Sequence, residues 1–187
     1  MWLELKDLVD LRTCTFVDFG CGCGFALLTA MKLPLKAIVG VDMHQRSTEL
    51  ARAHTDRCMS ATQTKCRNVD IVCADMLDYT FEPSERIILF MYEPLWTLPR
   101  ERAHATYKSV LEHARRSVSK ELLVAYFYAG RYCGDALPAL AEMKAEKCHQ
   151  SKYFSLFFGS HEDFYIFRLP ALGTHECRLE EPIMDSS

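Results

Sequence analysis

The stretch TFVDFGCGCGFALLTA, Thr15 to Ala30, decides the fold. An apolar run carries Asp18, and three glycines follow at alternate positions, Gly20, Gly22 and Gly24, with Cys21 and Cys23 between them. Glycine lets the chain turn tightly and lets a ligand approach the backbone with no Cβ in the way. The spacing predicts a strand over Cys14–Phe19 and a helix from Phe25 to Lys32 whose first amides point at the turn. Three readings compete for such a turn: a metal site, a dinucleotide loop, or a pocket for another nucleotide-bearing cofactor.

Outward from this turn, short apolar runs alternate with amphipathic stretches. AIVGVDM (Ala37–Met43), VDIVCA (Val69–Ala74), IILFMY (Ile87–Tyr92) and LLVAYFYA (Leu122–Ala129) predict four more strands. Continuous apolar runs of this kind suit strands buried on both faces. A polar helix through Cys58 follows the second strand. After Pro99, the residues Ala103, Tyr107, Val110, Leu111, Ala114 and Val118 fall at helical spacing. Asp135 is placed to cap a further helix that tolerates Pro138 in its first turn. Two aromatic strands, Tyr153–Phe158 and Phe164–Leu169, flank GSHED and read as an antiparallel pair. Strand–helix alternation closed by two adjacent strands predicts one α/β domain over 1–187, doubly wound with helices on both faces. Residues 1–12 read as an N-terminal helix lidding the site, and 171–187 as a loosely ordered tail.

Ligands of such sheets bind at the carboxyl ends of the strands, and these ends are acidic. Asp18 precedes the glycine turn, Asp42 closes the second strand and Asp75 follows the third. A carboxylate at Asp42 can accept both hydroxyls of a ribose, and Asp75 or its neighbouring amides can meet the amine and ring nitrogens of adenine. Each acid alone reads as a strand-end residue or helix cap; with the glycine turn they form a line that fits a nucleoside. The dinucleotide fingerprint G-x-G-x-x-G fits less well, because Phe25 stands where its third glycine belongs. The 22-residue spacing from Gly20 to Asp42 suits either cofactor.

The series FVDFGCGCG, VGVDM, VCADM and MYEP resembles the motifs of the class I S-adenosylmethionine-dependent methyltransferases, from Cys14 to Pro94. The resemblance implies a mostly parallel seven-stranded sheet in the order 3-2-1-4-5-7-6 with an antiparallel last strand. It implies S-adenosyl-L-methionine as cofactor and S-adenosyl-L-homocysteine as product. Asp18, Gly20, Gly22 and Gly24 would shape the methionine end of the pocket. Asp42, with Met43 beside it, would hold the ribose, and Asp75 with Met76 would line the adenine. Cys21 and Cys23 are then small fillers of the turn, without chemistry of their own.

In-line methyl transfer asks the protein to align a nucleophile and exclude water. The catalytic candidates therefore stand at the end of the fourth strand: Glu93, flanked by Tyr92 and Pro94, with Trp96 nearby. Glu93 can accept a hydrogen bond from an amine or take its proton; its bland alternative is a partner for the next helix dipole. Amine methyltransferases of this fold often carry Asn or Asp before the proline, so Glu93 departs from their pattern. The acceptor reading is a protein amine of the lysine type, ahead of a small metabolite or RNA. A methyltransferase-like module that binds without turnover is the alternative from another class, and an NAD(P)-dependent oxidoreductase is a further one. Acceptor-selecting loops are expected at Glu82–Glu85, Tyr92–Arg102 and Gly130–Asp135.

Composition narrows the classes. The 187 residues carry a net charge of −3, which does not favour nucleic acid as a partner. No apolar run approaches the roughly 20 residues needed to cross a bilayer, and MWLELKDLVDLR has no uninterrupted apolar core of a leader peptide. Nine cysteines without a regular framework read as reduced thiols of an intracellular protein, cytoplasmic or nuclear. The lone C-x-C has no second pair and the seven histidines form no metal-spaced set, so no metal is expected. No nucleophile-elbow motif is present.

Overall fold

The apolar runs become strands β1 (Cys14–Phe19), β2 (Ala37–Asp42), β3 (Val69–Cys73), β4 (Ser84–Tyr92) and β5 (Val118–Tyr128), followed by β6 (Glu146–Ser155) and β7 (Ser160–Pro170). The computed structural model describes residues 2–60, 64–92, 94–95, 98–128, 136–155 and 160–172, with the backbone alone at 2, 153–155 and 160–162. One seven-stranded sheet forms in the order β3-β2-β1-β4-β5-β7-β6, as the resemblance implied. The first five strands are parallel; β7 runs antiparallel to β5, and β6 antiparallel to β7.

Helices α1 (Trp2–Leu8), α2 (Phe25–Ala30), α3 (Gln45–Met59), α4 (Arg100–Arg116) and α5 (Leu137–Glu142) join these strands, with a short 3-10 turn at Leu11–Thr13. One face of the sheet packs Leu5, Leu27, Ala30 and Ala51 from α1, α2 and α3 against Phe16, Ile38 and Ile88. The opposite face packs Ala103, Tyr107, Val110, Leu111 and Ala114 of α4, and Ala139 and Leu140 of α5, against Leu89, Val124 and Tyr126. Asp135 and the 130–135 loop lie outside the described residues; Ala136 stands at the N-cap of α5, and Pro138 sits in its first turn.

Five features depart from the sequence reading. Val118 starts β5 rather than closing α4, since the helix ends at Arg116 and Val118 pairs with Ser84. β6 begins at Glu146, well before Tyr153, and reads EKCHQSKYFS. It is an edge strand with a single neighbour, so no apolar alternation is demanded of it and charged residues blunt its free side. Ser160–Asp163, read as a loop, belong to β7. Glu85 and Ser84 stand at the amino end of β4, the wrong end of the sheet for selecting an acceptor.

The fifth departure is the crossover from β3 to β4, which carries no helix. Residues 74–83 instead form a strap whose Tyr79 and Phe81 pack edge-on against Phe19, at centroid distances of 5.8 and 5.6 Å. Parallel strands ordinarily have a crossover helix over them; here two aromatic rings cover part of that face.

Charges lock the amino ends of the central strands. Glu121 accepts from Arg86 Nε at 2.7 Å and forms an ion pair with Arg168 Nε at 2.8 Å, without hydrogen-bond alignment at the latter. Arg86 also donates to Thr13 Oγ1 at 2.9 Å. Glu121→Ala leaves two partly buried guanidiniums without this partner and is expected to cost about 1–3 kcal/mol in urea unfolding, less than a fully buried pair because all three groups keep some solvent.

Candidate functional site at the strand ends

The chain leaves β1 through a turn in which Gly20, Gly22 and Gly24 all have positive φ, at +77°, +52° and +87°. Only glycine adopts these angles freely, and the three positions differ in what a side chain would meet. A Cβ at Gly20 would come within 3.1 Å of Pro94 Cβ, and one at Gly24 within 3.2 Å of Ala51 Cβ and 3.3 Å of Ala51 Cα. At Gly22 a Cβ would meet nothing within 4 Å. Gly20 and Gly24 thus permit close packing against the protein itself, whereas Gly22 borders open space.

The turn is stitched to β2. Gly20 and Cys21 donate their N–H groups to the Val41 carbonyl at 2.9 and 3.1 Å, and Gly22 N–H donates to Asp42 Oδ2 at 2.9 Å. Asp42 Oδ1 accepts from His44 N–H at 2.8 Å. Both oxygens are therefore oriented by backbone, each retaining a lone pair for a further donor. Asp75 Oδ1 accepts from Leu77 N–H at 2.9 Å and shapes the turn after β3.

A cleft of about 280 Å³ opens between these ends, lined by Gly20, Asp42, Met43, Asp75, Met76, Tyr92 and Pro94 from the predicted set. Val41, His44, Ala74 and Leu95 complete it. Asp18 stands behind the turn, nearly sealed from solvent, and no donor among the described residues hydrogen-bonds its carboxyl. Desolvation, reinforced by the charge of Asp42, pushes the Asp18 carboxyl up to about 8. Glu93 and Trp96 lie outside the described residues; Tyr92 between Met91 and that segment is part-exposed, its ring 5.6 Å from Phe127. Among the described residues of helix α1 none lines the cleft, and Leu5 packs on the face held by Leu27 and Ile38. A larger cavity of about 550 Å³ lies elsewhere, under the strap.

Sequence reasoning missed Gly40. A Cβ there would stand 2.6 Å from Leu27 Cδ1 and 3.0 Å from Cys21 Sγ, so this glycine lets α2 and the turn settle onto β2. The signal was visible as the glycine two residues before Asp42. Cys21 is the apolar filler of that contact, its thiol pushed up to about 12 by desolvation, then by Asp18 and Asp42, and Cys23 is exposed. Cys21→Ala with Cys23→Ala is accordingly expected to change cofactor affinity less than threefold by calorimetry. Among the described residues no three His, Cys, Asp or Glu side chains are grouped to hold a metal ion, and no helix is long and apolar enough to cross a membrane.

The sequence matches the family described as methyltransferase domain over residues 16–117. Among curated relatives, a ribosomal protein L11 methyltransferase of Tolumonas auensis is 32% identical over 84 residues, 40% of this chain and 29% of that protein. One of Hamiltonella defensa is 31% identical over 84 residues, with 28% of its length covered. The chain spans under a third of the length of these relatives. Among solved structures, a methyltransferase of Methanosarcina mazei aligns with TM-score 0.67 at 11% identity, covering 92% of this chain and 98% of that one. The magnesium protoporphyrin IX methyltransferase of Synechocystis PCC 6803, with bound S-adenosylmethionine, aligns with TM-score 0.64 at 13% identity over 91% of this chain and 75% of its own. At these identities the structural likeness concerns the fold.

Proposed function

The chain belongs to the methyltransferase-domain family, and from that premise we propose that it is an S-adenosylmethionine-dependent methyltransferase acting on an amine, in the first place a protein amine of the lysine type. The observation that carries this reading is Asp42, its carboxylate oriented by the amides of Gly22 and His44 at the mouth of the cleft. The open space at Gly22 and the donorless carboxyl of Asp18 are what a bound nucleoside amino acid would fill. S-adenosylmethionine supplies an activated methyl group and leaves as S-adenosylhomocysteine.

The chain's own residues bind and orient. Asp18 and the turn at Gly20, Gly22 and Gly24 receive the methionine end, Asp18 as the partner for its ammonium. Asp42 accepts the ribose hydroxyls, with Met43 alongside. Asp75 and Met76 flank the adenine. Tyr92 and Pro94 wall the acceptor side, and Glu93 accepts a hydrogen bond from the amine and takes its proton. Glu93→Gln keeps the shape and removes the base, so turnover is expected to fall at least tenfold with donor affinity unchanged.

The L11 methyltransferase relatives favour a protein acceptor over a metabolite or RNA, and the net charge of −3 gives no electrostatic footing for RNA. Calorimetric titration with S-adenosylmethionine and S-adenosylhomocysteine tests the cofactor: absence of heat from both overturns the reading. Labelled donor incubated with cell extract tests the acceptor. Radioactivity in protein is the expected result, and label confined to RNA or small molecules overturns the protein amine.

A further inference from the structure

The helix missing between β3 and β4 leaves a face of the sheet under-covered. Helices α4 and α5 pack on this side over the β4–β5 half, while above β1, β2 and β3 only the strap passes among the described residues. Ala37, Val39, Val72 and Ala74 stay half-buried on strands that parallel architecture normally buries on both faces. Beneath the strap runs the groove of about 550 Å³, with the buried Val17 and Ile87 on its sheet side and the buried Phe81 on its strap side. Its lining reaches Lys36, Ala37 and Asn68 at the amino ends of β2 and β3, and at the other end it shares Ala74 with the cofactor cleft.

The rim of this groove is acidic. Asp70 on β3 and Asp78 and Glu82 on the strap are all exposed, against the single Lys36. Among the described residues none of the three carboxylates is ion-paired. Asp70 and Glu82 both line the groove, and after burial their charges hold the Tyr79 phenol above its usual range.

We propose that this groove docks an amphipathic helix of a partner protein, whose apolar stripe takes the place of the absent crossover helix and whose basic flank meets Asp70, Asp78 and Glu82. The shape asks for a helix, since a cylinder roughly 10 Å across is what covers a parallel sheet elsewhere in this fold. The rim asks for lysine or arginine beside the stripe. A second copy of this chain is a poorer occupant, because its net charge of −3 sets like against like.

The test uses the full chain and a synthetic helical peptide of about 18 residues with a leucine stripe and lysines on its other face. A matched peptide carrying glutamates in place of the lysines is the control. Methyl and amide NMR shifts on Val39, Val72 and Thr15 are expected with the basic peptide, at least tenfold tighter than with the acidic one. Asp70→Lys with Glu82→Lys is expected to erase that preference, and Val72→Lys to erase binding, while both variants still bind S-adenosylmethionine if the chain is such a methyltransferase and keep wild-type unfolding profiles in any case. No shift at millimolar peptide, shifts outside the groove, or equal affinity for both peptides overturns the proposal. So does a chain that sediments as a dimer without peptide and becomes a monomer on Val72→Lys, which would hand the groove to a second copy.

Discussion

Asp42→Ala is expected to weaken S-adenosylmethionine binding at least a hundredfold while moving the unfolding temperature by only a few degrees. The carboxylate has two tasks at once. It accepts from Gly22 N–H at 2.9 Å and His44 N–H at 2.8 Å, which fixes both its own orientation and the path of the glycine turn. With its orientation fixed, it costs little reorganisation to accept two ribose hydroxyls. Hydrogen bonds to a charged group contribute about 1.5–3 kcal/mol each, so losing two is worth about 3–6 kcal/mol in binding. Folding loses less, because the His44 amide faces solvent and finds water, and the turn keeps its bonds to the Val41 carbonyl. Asp42→Asn should fall between, since an amide nitrogen cannot accept from Gly22 or His44 as a carboxylate oxygen does. Calorimetric affinities for the three proteins decide the matter; a Kd for Asp42→Ala within threefold of wild type would remove Asp42 from the site.

The parts of this site legible in the sequence are those where backbone geometry demands a residue type. Positive φ at positions 20, 22 and 24 demands glycine, and glycines at a strand–helix junction announce a turn. The central strands β4 and β5 were legible for a similar reason: burial on both faces leaves little room for polar residues, so IILFMY and LLVAYFYA stand out. Where one face or one edge is free, the signal fades. β6 was displaced in the reading because an edge strand accepts EKCHQSK as readily as an apolar alternation. Gly40 was overlooked because its reason lies in tertiary contact with Leu27 and Cys21, which no local pattern encodes. The strap was invisible for the opposite reason: Tyr79 and Phe81 are spaced by two, as on any extended segment, and nothing local says that they stand in for a helix. The state of Asp18 was equally out of reach, since its proton depends on burial behind the turn and on Asp42 across the strand.

Asp18→Asn should strengthen the ligand-free fold and weaken donor binding, with both effects growing toward pH 8. Asp18 titrates near 3.8 when exposed and at about 8 in the fold, first through desolvation and then through the charge of Asp42. Between those values the folded chain holds a proton that the unfolded chain has released. Its contribution to stability is therefore complete below about pH 4 and is lost as pH rises toward 8, at up to about 1.4 kcal/mol per pH unit. Asparagine has no such proton, so the variant's stability should be flatter over this window and its unfolding temperature higher at pH 8. Binding runs the other way. An ammonium placed against Asp18 stabilises the carboxylate, so wild-type protein must release a proton on taking up S-adenosylmethionine below pH 8, and affinity climbs with pH until about 8. Titrations in phosphate and in Tris, which differ in ionisation enthalpy, read that proton directly. Asp18→Asn should release none, bind at least tenfold more weakly at pH 8, and show no climb. A variant that keeps the wild-type pH slope would place the methionine end elsewhere, whereas loss of the slope with a firmer fold would mean that stability is given up at Asp18 to keep a buried carboxyl that ionises when the ligand arrives.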